Sequence, residues 1–174
     1  MSEYQKSGIL ISIRPPYAKM LLSGYKPMEF RKKIINELMP NVGENLPVYI
    51  YETKNNQGQG QIIGEAFVSK IYNTSFTHAN NVQLRELYFP WMRKHQSELT
   101  EEELNIEKPW LNSEKFNEFK TSIGYPEDDR SIYAIAFRNL QTYKKPKELS
   151  NFLNKNGTPF QRPPQNMCYV YKKI

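Results

Sequence analysis

The chain has 174 residues, 39% of them hydrophobic and 13% aromatic, with a formal net charge of +6. That length suits one domain, or one domain with an insertion, and can bury a real core. The composition excludes a disordered chain, no apolar run approaches the ~20 residues of a membrane span, and one cysteine, Cys168, excludes an internal disulfide. The opening MSEYQKSG lacks the apolar stretch of a signal peptide, so a cytoplasmic protein with no membrane association is expected. Charge is unevenly spread. Residues 1–60 carry eight basic and five acidic side chains, residues 61–130 eight and twelve, and residues 131–174 eight and one. Basic segments favour polyanions by neutralising phosphates and releasing counterions, although a basic chain can also be merely soluble.

In chain order, GILISIR (8–14) is an apolar run suited to a strand. Pro15 and Pro16 follow, then YAKMLLSG, where proline in a first turn and glycine after the last predict a short helix from about Pro16 to Ser23. A strand is expected at about 28–32 and another at 47–53 (PVYIYET). KNNQGQGQ (54–61) reads as a hairpin loop, and IIGEAFVSKIY (62–72) as the returning strand, with Gly64 at a bulge. Residues 82–123 carry helical spacing, a capping box from Thr100 to Glu103, a second cap at Ser113, and most of the acidic charge. SIYAIAFR (131–138) is apolar on both faces and predicts a central strand. KKPKELSNF (144–152) reads as a basic turn and a short helix or loop, and MCYVYKK (167–173) as a last strand. The pattern predicts an α+β fold: a small mixed β-barrel of five to six strands with short helices. It forms one domain over 1–174, with a helical insertion at about 76–128.

Gly24 to Arg31 (GYKPMEFR) concentrates the chemistry, because Lys26, Glu29 and Arg31 sit where the short helix gives way to a strand. On a strand, residues two apart share a face, so Glu29 and Arg31 project together and Met28 and Phe30 to the other side. Such a strand floors a polar cleft, or else carries an ordinary ion pair of small energetic value. Arg31 offers a planar fork for a phosphate or a base edge, Lys26 a mobile charge, and Glu29 a carboxylate able to accept from an exocyclic amine. Tyr17, Tyr25, Tyr49 and Tyr51 are candidates for stacking on an unpaired base, with packing the alternative for each. Lys144, Lys145, Lys147, Arg162, Lys172 and Lys173 could follow a nucleic-acid backbone. Two histidines, His78 and His95, and Cys168 show no metal-site spacing, so neither metal nor cofactor is expected. GQGQIIG (58–64) has the wrong glycine spacing for a dinucleotide loop. Trp91 and Trp110 read as core of the insertion, and Cys168 as a filler of an apolar strand.

The stretch ILISIRPPYAKMLLSGYKPMEFRKK resembles the start of an ASCH domain (activating signal cointegrator homology), a branch of the PUA-like barrels. That family carries a strand, a short helix, then Gly-x-Lys-x-x-Glu-x-Arg, here Gly24, Lys26, Glu29 and Arg31. VYIYET, IIGEAFV with Gly64 and Glu65, SIYAIAFRNLQTYKKPKELSNF, and RPPQNMCYVYK resemble the family's later segments in order, so the resemblance spans essentially the whole chain. It implies a PUA-like barrel with a ligand cleft at Lys26, Glu29 and Arg31, joined by Tyr17, Tyr51, Thr53 and Glu65. It also implies binding of RNA or other nucleic acid in transcription or translation. Some relatives are hydrolases of modified nucleosides that use a Lys, Thr and Glu set, and a ribonuclease role has been suggested for others. Lys26 stands at the place of the Lys. Where those enzymes have Thr this chain has Glu29, and Glu65 is one candidate for the partner acid.

Three functional readings stay open on the sequence. The first is a module that binds RNA or single-stranded nucleic acid, with the basic segments holding phosphates. The second is a small hydrolase acting on a modified nucleoside or on RNA, with Lys26 and Glu29 catalytic. The third is a scaffold that docks a protein partner on the acidic helical insertion. A monomer is the simplest oligomeric expectation.

Overall fold

The structure is a computed structural model and describes residues 3–26, 28–35, 38, 45–75 and 131–174. The readings made for 82–123, the insertion at 76–128, both histidines and both tryptophans fall outside the described residues.

Six strands form one mixed sheet. They are β1 (Tyr4–Ile13), β2 (Met28–Arg31), β3 (Val48–Glu52), β4 (Gln61–Ser75), β5 (Ser131–Lys147) and β6 (Met167–Lys173), in the order β2-β5-β4-β3-β1-β6. β1 runs parallel to β3 and antiparallel to β6. The period of two in ILISI decides the packing. Ile9, Ile11 and Ile13 enter one apolar cluster with Val48, Ile50 and Ile135, while Leu10 enters a second with Tyr51, Ile62 and Val170. The one α-helix among the described residues, α1 (Tyr17–Leu22), lays Ala18, Leu21 and Leu22 on the first cluster. Phe152, with Leu149 and Phe160 beside it, covers the second.

The helix ends as its sequence predicts. Pro16 precedes it, the Pro15–Pro16 bond is cis, and Ser23 closes it. Gly24 follows at φ 77°, a backbone region that glycine enters at no steric cost. The chain then folds back so that the Lys26 N–H reaches the Met20 carbonyl at 3.0 Å. This reversal delivers Lys26 to the start of β2.

Three strands are longer than expected, β1 and β4 by a few residues and β5 by more. β1 begins at Tyr4 because its polar first half pairs with the end of β6 across an irregularity between Lys6 and Gly8. β5 runs on through the segment read as a basic turn. It keeps its ladder with β4 by shifting register three times, and Asn139 takes a positive φ of 52°. The short turn expected after it is present at Leu149–Asn151.

The ladder among the described residues is an open sheet with β2 and β6 at its edges, so hydrogen-bonded closure of a barrel is not seen. The edges nevertheless approach at one end. The Arg31 guanidinium donates from β2 to the Ser12 carbonyl of β1 at 2.6 Å, and the Asn166 amide donates to the Lys33 carbonyl at 2.8 Å. β2 is only four residues long and takes its ladder from β5, so side chains make this tie. Among the described residues, no helix is long and apolar enough to cross a membrane.

The bulge expected at Gly64 is real. Gly64 lies opposite Ile50 and Ile62 opposite Tyr51, which leaves Ile63 as the extra residue. A Cβ on Gly64 would sit 2.4 Å from the Gln141 carbonyl oxygen and 2.7 Å from a Leu22 methyl. Gly64→Ala is therefore expected to cost about 1–3 kcal/mol of stability through overpacking, read as a lower denaturation midpoint. An unchanged midpoint would show that the β4–β5 contact yields freely.

Candidate functional site

A cleft of about 700 Å³ opens where the carboxyl ends of β1, β2 and β3 meet the loop before β6. Ser12–Arg14, Phe30–Lys33, Thr53 with Asn55, and Pro163–Asn166 form its walls, joined by Tyr17, Lys26 and Glu29. The three ionisable residues of the Gly24–Arg31 octet are thus gathered on one concavity.

Glu29 sits at their centre. Its two oxygens are shared, one accepting from the Lys26 ammonium and the other from the Arg31 guanidinium. Lys26 and Glu29 are each 3% exposed, so this is a buried pair and not an ordinary surface bridge. Arg31 is only partly buried and spends its remaining terminal N–H groups on the Phe30 carbonyl at 3.3 Å and the Ser12 carbonyl. The Lys26 ammonium also stands 5.1 Å from the Tyr17 ring centroid and 5.7 Å from that of Phe30. Burial drives the Lys26 pKa below the usual lysine value. Glu29 opposes this by its charge and its hydrogen bond, and Arg31 adds a smaller push downward.

Electrostatics and hydrogen bonding both favour a polar, anionic visitor. Five cationic side chains (Arg14, Lys26, Arg31, Lys32 and Lys33) and one carboxylate line the cleft. Three of its residues keep a buried polar atom with no hydrogen-bond partner among the described residues: Arg31 Nε, Thr53 Oγ1 and Asn166 Oδ1. Each such atom costs about 1–3 kcal/mol while unsatisfied. Together they supply a donor, an acceptor and a hydroxyl that can act as either.

Ser12 ties the loop before β6 to this place through two hydrogen bonds. The Ser12 hydroxyl donates to the Pro164 carbonyl at 2.7 Å, and the Ser12 N–H donates to the Asn166 carbonyl at 3.1 Å. The loop after β3 is held by Glu52, a fully buried carboxylate. One Glu52 oxygen accepts the Gln59 N–H at 3.0 Å, and the other lies 3.7 Å from the Lys19 ammonium. Lys19 is largely exposed, so solvent screens that contact and the backbone hydrogen bond is the firmer tie.

The other residues singled out in the sequence lie elsewhere. Tyr51 is buried in the second apolar cluster and lines a neighbouring groove rather than the cleft. Tyr49 packs edge-on against Phe152 at 4.8 Å between ring centroids. Glu65 faces Tyr49 across the β3–β4 ladder and accepts from the Tyr143 hydroxyl, and it is not among the residues that line the cleft. Burial and the Glu65 charge raise the Tyr143 pKa, which keeps that hydroxyl a donor. Lys172 and Lys173 pair with Gln5 and Tyr4, at the opposite end of β1 from Ser12. Lys144, Lys145 and Lys147 are exposed on β5, with Lys147 stacked 4.1 Å above Tyr143. Arg162 is exposed next to the cleft residue Pro163. Beside Lys26 and Arg31, the cations that line the cleft are Arg14, Lys32 and Lys33, which periodicity did not mark. Cys168 is half-buried among apolar neighbours, and burial pushes its thiol up to about 11, well away from a reactive thiolate.

Solved structures share this arrangement of strands. A crystal structure of ASCH from Zymomonas mobilis superposes with a TM-score of 0.53 at 22% identity, over 95% of this chain and 88% of that one. Two single-residue variants of the same bacterial protein give TM-scores of 0.51 at 21% and 20% identity, over 97% and 94% of this chain and 90% of theirs. The chain has an ASCH-like fold. No protein-family model matches its sequence, and no curated protein matches it. In this ASCH-like sheet Lys26, Glu29, Phe30 and Arg31 of the Gly24–Arg31 octet, the segment that resembles a recurrent pattern of the family, line the cleft.

Proposed function

We propose that the cleft binds one unpaired nucleotide of an RNA or other single-stranded nucleic acid, and that the domain works as a binding module in the cytoplasm. On this reading the sheet is the wall of a PUA-like barrel whose edges meet at the cleft. The observation that carries the proposal is the set of three unpartnered polar atoms, on Arg31, Thr53 and Asn166, in a cleft with five cations to one carboxylate. A base edge offers an acceptor beside a donor, which suits the polar side chains of Arg31 and Asn166 on the wall, and its phosphate suits the basic rim. Tyr17, half-buried on the wall, supplies an aromatic face.

Filter binding of short single-stranded RNA and DNA, against the matching duplexes, tests this. Single strands are expected to bind more tightly than duplexes, and affinity is expected to fall steeply as salt rises from about 50 to 200 mM. No binding of any strand at low salt would end the proposal.

One feature favours a second reading, a hydrolase of acylated nucleosides. Lys26 is buried at the cleft with its pKa driven down by desolvation, and a carboxylate is within hydrogen-bonding reach. Against it, the Glu29 charge favours the protonated lysine, and Glu65 is engaged elsewhere. Incubation with a panel of acylated nucleosides, followed by chromatography, decides it. Turnover that disappears in Lys26→Ala would establish the enzyme, and a panel left intact would exclude it.

A further inference from the structure

A second groove, of about 580 Å³, adjoins the cleft, and Thr53, Asn55 and Pro163 line both. We propose that this groove holds the nucleotide next to the one in the cleft, so that the domain takes two consecutive nucleotides of one strand. The inference rests on the cleft being a nucleotide site and extends the footprint on the strand from one nucleotide to two.

The two concavities differ in the way that two parts of one strand-binding surface should differ. The cleft is dominated by cations. The groove has one lysine, Lys54, and one carboxylate, Glu148, which already accepts from the Gln61 amide. One wall is apolar instead, built by Leu149 and Phe160 over buried Tyr51, beside the uncharged polar side chains of Thr53, Asn55, Ser150 and Gln161. A surface of that kind gains from an uncharged base laid against it and little from a phosphate. Both volumes fall within the range of about 300–1,000 Å³ typical of small-ligand sites.

The seam between them carries the polar equipment. Thr53 stands there with its buried hydroxyl unpartnered. Exposed Lys54 follows it directly, and exposed Arg162 sits between Gln161 of the groove and Pro163 of the seam. A phosphodiester joining two nucleotides would pass over this seam, with a hydroxyl beneath it and the Lys54 ammonium beside it. The seam is also anchored. The Thr53 N–H donates to the Ile13 carbonyl at 3.0 Å, and buried Glu52 fixes the far end of the loop through Gln59 and Gly60. A surface built in advance loses less ordering entropy on binding.

Titration calorimetry on the full chain tests the proposal with two probes, ribonucleoside monophosphates and dinucleoside monophosphates. The second probe carries no more charge than the first, so any gain reports the added nucleoside. Two variants block the groove at exposed positions, Ser150→Trp and Gln161→Trp. The wild-type chain is expected to bind the dinucleotide about tenfold or more tightly than the mononucleotide. Each tryptophan variant is expected to erase that gain and leave mononucleotide binding unchanged. Equal affinity for the two probes, or a gain that survives both tryptophans, would overturn the second subsite while leaving the cleft as a nucleotide site. Failure of both probes to bind would overturn both readings.

Discussion

Arg31→Ala is expected to weaken binding of an unpaired ribonucleotide strand by about 1–3 kcal/mol, roughly five- to 150-fold, and to flatten its salt dependence by about one unit of slope. The loss has two sources. The guanidinium supplies both charge and the unpartnered Nε–H of the cleft. It also neutralises one oxygen of Glu29, which would otherwise present negative charge toward an incoming phosphate. Arg31→Lys separates the two. A lysine keeps the charge but not the planar fork, so the salt slope should remain while affinity falls partway. Fluorescence anisotropy at several salt concentrations reads both quantities. Because Arg31 also ties β2 to β1 through the Ser12 carbonyl, melting curves of both variants accompany the titrations. A folded Arg31→Ala protein with wild-type affinity would remove the cleft from nucleic-acid binding.

The second large effect concerns stability. Glu29→Ala strands a buried ammonium, since Lys26 is 3% exposed and Glu29 is its carboxylate partner. Breaking one side of a buried ion pair costs about 3–5 kcal/mol. For a chain of this size that is a fall in Tm of roughly 6–20 °C, followed by thermal circular dichroism. Replacing both buried partners, as Lys26→Met with Glu29→Leu, is expected to recover part of that loss, because two buried charges disappear together while Arg31 loses its carboxylate and keeps its Ser12 and Phe30 carbonyls. The double variant should melt above Glu29→Ala yet fail to bind nucleic acid. Glu29→Ala melting at the wild-type temperature would mean that the pair is solvated in practice.

The pH dependence of the same lysine has a definite sign. Burial, the largest influence, lowers its folded pKa below the ordinary 10.5. Between the folded pKa and 10.5 the unfolded chain therefore binds more protons than the folded one, and stability rises with pH across that window. Below the folded pKa the lysine is charged in both states and the full cost of burying it is present. Compared with Lys26→Met, the wild-type protein should gain relative stability as pH rises toward 10.5 and stay level above it. A difference between the two that is constant with pH would show that desolvation of Lys26 is fully offset by Glu29.

Tyr49, Tyr51 and Glu65 show why candidate ligand residues read from sequence can fall elsewhere. Each has a residue type suited to recognition and lies on a strand next to polar neighbours. Alternation says which strand positions share a face, but not which face another segment will cover. The packing of Phe152 and its neighbours over the second cluster takes Tyr49 and Tyr51, and the Tyr143 hydroxyl takes Glu65. Antiparallel pairing likewise carries Lys172 and Lys173 of the basic C-terminal strand to the far end of β1 from the cleft.

What this sequence determined by itself is local. The alternation in ILISI set two apolar faces, the Pro-Pro and Gly24 bounds set α1, and the spacing of Lys26, Glu29 and Arg31 set a charged trio within reach of one another. These follow from backbone periodicity and steric preference over a few residues. Only the tertiary structure decided that the trio floors a cleft, and that Ser12, Thr53 and Asn166 complete it. Those contacts join positions as far apart as Ser12 and Pro164, or Lys33 and Asn166. Nothing in the local chain records such a meeting. It arises because the sheet brings the ends of β1, β2 and β3 against the loop before β6, where Ser12 holds the loop and hydrogen bonds from Arg31 and Asn166 tie the β2 side to the β1–β6 side.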